Sequence, residues 1–129
     1  MKVAFMGNPR FSIDPLKEIL KSRHDICAVI SNPPKRMGRK KTRQYTDVGQ
    51  FAIDNKIRLI ELGSFKDEDT YEEIVSLKVD IFIVVAFRIL PQRYIDIPKF
   101  GAVNIHASIL PSYRGAAPVS YTHLRAHET

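Results

Sequence analysis

Five short runs of apolar residues, Val3 to Met6, Ile26 to Ile30, Ile57 to Leu62, Ile81 to Phe87 and Ala102 to Ile105, alternate with stretches of helical period. Nearly every residue in each run is apolar, rather than every second one, so each run predicts a strand buried on both faces, as in a parallel sheet covered by helices. The first helix is signalled by Asp14 as N-cap and Pro15 at the first helical position, with Leu16, Ile19 and Leu20 as its apolar stripe through Ser22. A second spans Asp47 to Asn55 and buries Val48, Phe51 and Ala52; a third runs from Lys66 to Leu77 and buries Tyr71, Ile74, Val75 and Leu77. Asp67, Glu68 and Asp69 suit the positive end of the third helix's dipole. A short turn of helix follows Pro91 and stops by Pro98. The order βαβαβαβ with a fifth strand predicts the α/β class, with a doubly wound, mainly parallel sheet and right-handed crossovers. Ligands of such sheets bind beyond the carboxyl ends of the strands, which directs attention to the loops starting at Gly7, Ser31, Leu62, Arg88 and Ala107.

A chain of 129 residues is one domain at most and can bury about two thirds of the surface its unfolded form exposes. The longest apolar run is far short of the ~20 residues of a membrane span, and the N-terminus meets Pro9, Arg10 and Asp14 before any secretory apolar stretch can form. The expectation is a soluble, cytoplasmic, monomeric protein that does not engage a membrane. Cys27, the single cysteine, lies in an apolar run and reads as a reduced, buried thiol. Formal charge is +6, and six bases with no acid between them, Lys35, Arg36, Arg39, Lys40, Lys41 and Arg43, account for all of it. Pro33, Pro34 and Gly38 argue against helix here, so the segment reads as a long, mobile loop. A solvated charge cluster is its default reading, and a phosphate-binding arm stands only slightly ahead on charge alone.

The first loop, Gly7-Asn8-Pro9-Arg10-Phe11, has neither the three glycines of a dinucleotide fingerprint nor a P-loop, and Gly7 by itself reads as permitting a tight turn. Asn104 and His106 are two apart at the end of the fifth run, so both leave one face of the sheet where a ligand would lie. A neutral imidazole can pass a proton at pH 7 and an amide can donate to a developing oxyanion, which together suit acyl transfer to an amine. Spacing alone does not separate this from two polar groups satisfied by neighbouring backbone.

Asn104-x-His106 followed by Ser108-Ile109-Leu110-Pro111 resembles the N-x-H-x-S-L-L-P signature of the folate-dependent formyltransferases, and Tyr113 to Pro118 resembles the Y-R-G-A-A-P continuation of the branch acting on initiator tRNA. Val3 to Pro9 is similar to that branch's opening F-M-G-T-P, the Pro34 to Lys41 loop to its G-R-G-K-K, and Ala86 to Pro91 to its A-Y-G-Q-I-L-P. The resemblance covers residues 1 to 119 and implies a Rossmann-like formyltransferase fold, here incomplete. It also implies transfer of a formyl group from 10-formyltetrahydrofolate, without a metal, to the amine of initiator methionyl-tRNA. Carried over by position, Asn104 and His106 are catalytic: both hold the formyl oxygen, and His106 also handles the amine proton. Ser108, Ile109, Leu110 and Pro111 line the folate site, Ile89 and Leu90 border the pterin pocket, and Lys35, Arg36, Arg39, Lys40, Lys41 and Arg43 meet the tRNA.

The family's third catalytic residue, an Asp in a later D-x-G-D segment, has no counterpart, and after Pro118 the expected W-A helix is replaced by Ser120 to Thr129. The expectation is therefore a partial catalytic domain over residues 1–119 and an atypical, non-native tail over 120–129. His123 and His127 are given no role. Without the Asp and the family's C-terminal domain the fragment is expected to be nearly or wholly inactive, and its fifth strand to be an exposed sheet edge. Two other readings stand beside this one: a formyltransferase of the same fold acting on glycinamide ribonucleotide or an amino sugar nucleotide, and a non-catalytic Rossmann-like module that binds nucleic acid.

Overall fold

The computed structural model describes residues 1–37, 42–107 and 119–123. Its strands are β1 (Lys2–Gly7), β2 (Asp25–Ser31), β3 (Lys35–Met37), β4 (Thr42–Gln44), β5 (Leu59–Glu61), β6 (Ile81–Val85), β7 (Ala102–Ala107) and β8 (Val119–His123); its helices are α1 (Ile13–Lys21), α2 (Asp47–Asp54), α3 (Glu68–Ser76) and α4 (Gln92–Ile95). The main sheet has the order β5-β2-β1-β6-β7-β8. Its first five strands run parallel and β8 pairs antiparallel with β7. Chain order therefore reverses at β1, which lies between β2 and β6, and opens the crevice at their carboxyl ends where doubly wound sheets bind ligands.

Both faces of the sheet are buried, as the continuous apolar runs require. On one face Leu16 of α1 and Val48 and Ala52 of α2 pack on Phe5, Val29 and Val85. On the other, Ile74 of α3 and Tyr94 and Ile95 of α4 pack on Ala4, Met6, Ile30, Ile60 and Val84. Neighbouring residues of β1 thus serve opposite cores, Phe5 one and Met6 the other, following the strand's two-residue period.

Several expectations are corrected. α1 starts at Ile13 after a 3₁₀ turn over Arg10–Ser12; its cap is Ser12, without a side-chain cap bond, so Asp14 is not the N-cap and Pro15 is the third helical residue, two positions deeper than expected. Leu20 and Val75 are exposed at 41% and 38%, on the rims of their helices. β6 ends at Val85, short of Phe87, because Ala86 adopts φ 54°, a left-handed conformation that cannot continue a strand. Ile57 and Arg58 precede β5 as connecting chain, although Arg58 O accepts from Val29 N. The fifth strand, β7, is not an edge: β8 covers it, with Asn104 opposite Thr122 and His106 opposite Ser120. Within the basic segment, Lys35–Met37 and Thr42–Gln44 are not irregular loop but a pair of antiparallel strands, with Lys35 opposite Gln44, Arg36 opposite Arg43 and Met37 opposite Thr42. Cys27 is a free, half-buried thiol packed against the core.

Candidate active site at the sheet switch point

β1 and β6 approach so closely at the switch point that only glycine fits. A Cβ on Gly7 would stand 2.8 Å from Val85 O and 3.2 Å from Ser12 Cβ, and Ser12 Oγ donates to the same carbonyl at 2.8 Å. Gly7 thus serves close packing rather than an unusual turn conformation.

On β7, Asn104 and His106 share a face with Ala102, on the α3 and α4 side, while Ile105 packs into the opposite core. Asn104 is half-buried and His106 exposed. Their side chains meet: Asn104 Nδ2 lies 2.9 Å from His106 Nε2, within hydrogen-bond distance. An amide donor and an imidazole thus converge at the carboxyl end of β7, groups able to polarise a carbonyl oxygen and to accept a proton.

The flanking loops are tied together by side chains. Asn8, just after β1, accepts Asn32 N on its Oδ1 at 2.8 Å and Val48 N on its carbonyl at 3.1 Å, joining the ends of β1 and β2 to the start of α2. Thr46 caps α2 by accepting from Gly49 N at 2.9 Å. Asn8, Asn32, Lys35, Tyr45 and Asp47 are among the residues lining a cavity of about 400 Å³ at the foot of the basic hairpin, and Asn32 Oδ1 is buried without a partner. On the other side of the crevice, Arg88 Nη1 donates to Gly63 O at 2.6 Å and Nη2 donates to Leu62 O. Its guanidinium also lies 4.7 Å from the Phe65 ring and 5.0 Å from the Phe87 ring. Burial holds the Arg88 guanidinium below its usual pKa, though an arginine stays charged at neutral pH. Below this loop, Arg93 bonds Glu68 at 2.6 and 2.7 Å and stacks 3.6 Å over Tyr71, joining α4 to α3. The hydrogen bond from Arg93 holds the Glu68 carboxyl below the usual carboxylate range.

Of the residues singled out from sequence, Asn104 and His106 come together. Ile89 is 93% exposed at the crevice, whereas Leu90 is buried in the core and anchors the turn. Lys35 is exposed on β3; Arg36 and Arg43 pair through their backbones. Ser108, Ile109, Leu110, Pro111, Arg39, Lys40 and Lys41 lie outside the described residues. Sequence reasoning missed the ties made by Asn8 and Arg88. The available signal for Arg88 was a lone cation ending the apolar run of β6.

The order of the parallel strands and the crevice define a doubly wound α/β domain, with the Asn–His pair at the carboxyl end of β7. The family model described as "Formyl transferase" matches residues 1–129, and the chain belongs to that family. It is 39% identical over 129 residues to the methionyl-tRNA formyltransferase of Agathobacter rectalis, covering 99% of this chain and 42% of the relative. With the methionyl-tRNA formyltransferase of Fusobacterium nucleatum it shares 40% identity over 121 residues, 93% of this chain and 39% of the relative. The chain thus spans about 40% of the length of these relatives. Among solved structures, phosphoribosylglycinamide formyltransferase from Anaplasma phagocytophilum superposes with a TM-score of 0.66 at 20% identity, over 98% of this chain and 65% of that one. This likeness shows the fold. No helix among the described residues is long and apolar enough to cross a membrane.

Proposed function

We propose that this chain is the donor-binding and catalytic portion of a cytoplasmic enzyme that formylates the amine of initiator methionyl-tRNA, with 10-formyltetrahydrofolate as donor. The observation that carries the reading is the contact between Asn104 and His106 at the crevice, 2.9 Å between Nδ2 and Nε2, in a chain of the formyl transferase family. The names of the relatives support the tRNA acceptor. Asn104 directs its amide N–H at the formyl oxygen, where negative charge grows as the amine attacks, and a fixed donor there needs no reorganisation. Once the Asn104 N–H turns to the formyl oxygen, Nε2 of His106 is released to take a proton from the attacking amine as the bond from the methionine nitrogen to the formyl carbon forms. The donor supplies the formyl group, whose bond to the folate nitrogen breaks as that nitrogen gains a proton. Exposed Ile89 fits the pterin edge, and Ser108, Ile109, Leu110 and Pro111 are assigned to the rest of the folate site. Lys35, Arg36, Arg39, Lys40, Lys41 and Arg43 are assigned to RNA phosphates. In this reading residues 1–119 are the catalytic portion and 120–129 an atypical tail.

The test measures formyl transfer by the full-length enzyme, and by this chain, to methionyl-tRNA, glycinamide ribonucleotide and an amino sugar nucleotide. Transfer to methionyl-tRNA by the full-length enzyme and little or none by this chain is expected. Preference for either small acceptor overturns the tRNA assignment, and comparable rates from this chain overturn its inactivity.

A further inference from the structure

Arg88 and its neighbour Ile89 invert the usual partition of residues: the cation is half-buried, and the isoleucine stands 93% exposed. Large apolar side chains held in water and charged ones held out of it both cost free energy. The guanidinium is satisfied by the carbonyls of Leu62 and Gly63, from the loop after β5, and by the rings of Phe65 and Phe87; its Nε is buried without a partner. A leucine or methionine would fill the same space without an orphaned donor, so packing alone gives no reason for the arginine. What it adds is registration between two loops: the turn after β6 is fixed against the loop after β5, 25 residues earlier in the chain. That turn begins at left-handed Ala86 and ends at buried Leu90, so its one large apolar group facing solvent is Ile89.

We propose that Arg88 is a positioning residue for the folate donor, holding the Ala86 to Leu90 turn in the shape that presents Ile89 to the pterin. The claim rests on the folate reading above. It explains both anomalies at once: the donor covers the exposed isoleucine, and the half-buried cation keeps the turn from collapsing onto the core in its absence. Pre-organisation of this kind raises affinity by removing the ordering cost from the binding step.

The test titrates this chain with a tetrahydrofolate analogue carrying carbon in place of N5 and N10, and separately with an RNA acceptor-stem hairpin. Arg88→Met, of similar length but without donors, is expected to weaken analogue binding by about tenfold, the scale of one charge-assisted hydrogen bond. Arg88→Lys, which keeps one donor, is expected to weaken it by about threefold, a partial rescue. RNA affinity stays at the wild-type value in both, which a general loss of structure would not allow. If Arg88→Met does not fold, the threefold change in Arg88→Lys decides. Wild-type chain that fails to bind the analogue overturns the folate reading and this inference with it. Wild type that binds, with folded variants that bind equally well or lose folate and RNA affinity together, overturns the positioning role alone.

Discussion

The two sides of the crevice are held by different means. On the β6 side, Arg88 reaches across to two carbonyls and is flanked by two aromatic rings, while Arg93 and Glu68 tie α4 to α3 beneath it. On the β2 side, the β3–β4 strand pair carrying Lys35, Arg36 and Arg43 is joined to the sheet end at its foot, through Asn8, Asn32 and the capped start of α2. A small rigid ligand rewards the first construction, because every ordered group is ready before it arrives. A long polyanion rewards the second, because charge acts over several ångströms and needs less exact placement. Under the proposed function, the carboxyl end of one sheet presents a shape-selective wall and a charge-selective arm without the two sharing a described residue.

The sharpest way to break this division is to remove the pair proposed to be catalytic. In the full-length enzyme, Asn104→Ala is expected to lower kcat by about 100- to 1000-fold and His106→Ala by a similar factor, with RNA affinity unchanged in both. A gel-shift assay that shows RNA binding falling alongside kcat would mean that the two sides are not independent. Gly7→Ala strikes the seam between them: its methyl would meet Val85 O at 2.8 Å, and the resulting overpacking should cost about 1–3 kcal/mol in chemical denaturation. A variant as stable as wild type would show that β1 and β6 can part without consequence.

Smaller effects separate the sides further. Lys35→Glu should weaken RNA binding and lower the slope of log affinity against log salt by about one, while leaving the folate analogue's affinity unaltered. An unchanged slope would remove Lys35 from the interface. The smallest effect concerns Glu68, whose carboxyl Arg93 holds below its ordinary value. Its folded-state pKa is depressed, so the pairing contributes stability above the unfolded carboxylate value of about 4.3 and loses it as pH falls below that value. The thermal midpoints of wild type and Glu68→Gln should therefore differ at pH 7 and converge toward pH 3. A gap that persists in acid would assign the contribution to packing over Tyr71 instead of charge.

Much of the layered α/β plan was readable along the chain because its strands are buried on both sides and its helices on one. Continuous apolar runs mark β1, β2, β6 and β7, and the three-and-four spacing marks α1 to α3. The start of α1 was misread because Pro15 suits a first-turn position generally, and nothing local marks the 3₁₀ turn over Arg10–Ser12. β8 was missed because Ser120 and Thr122 give it none of the continuous apolar character of the inner strands. The basic segment hid a hairpin because charge density masks a three-residue register. At the site, the two-residue alternation of a strand was enough to bring Asn104 and His106 to one face. It could not have found Arg88 or Asn8, whose partners are mainly backbone atoms; a carbonyl at Leu62 or an amide at Asn32 carries no side-chain signature.

Ala86, at φ 54°, sits where the central strand must swing away from the sheet. A left-handed alanine costs about 1 kcal/mol that glycine would not incur, yet glycine would also loosen the bend it makes. Branched residues are barred there by steric collision with their own backbone. Sequence drift at this corner is therefore steered toward glycine, asparagine and unbranched side chains, the kind that Lys56 and Lys78 supply at other left-handed bends of the chain.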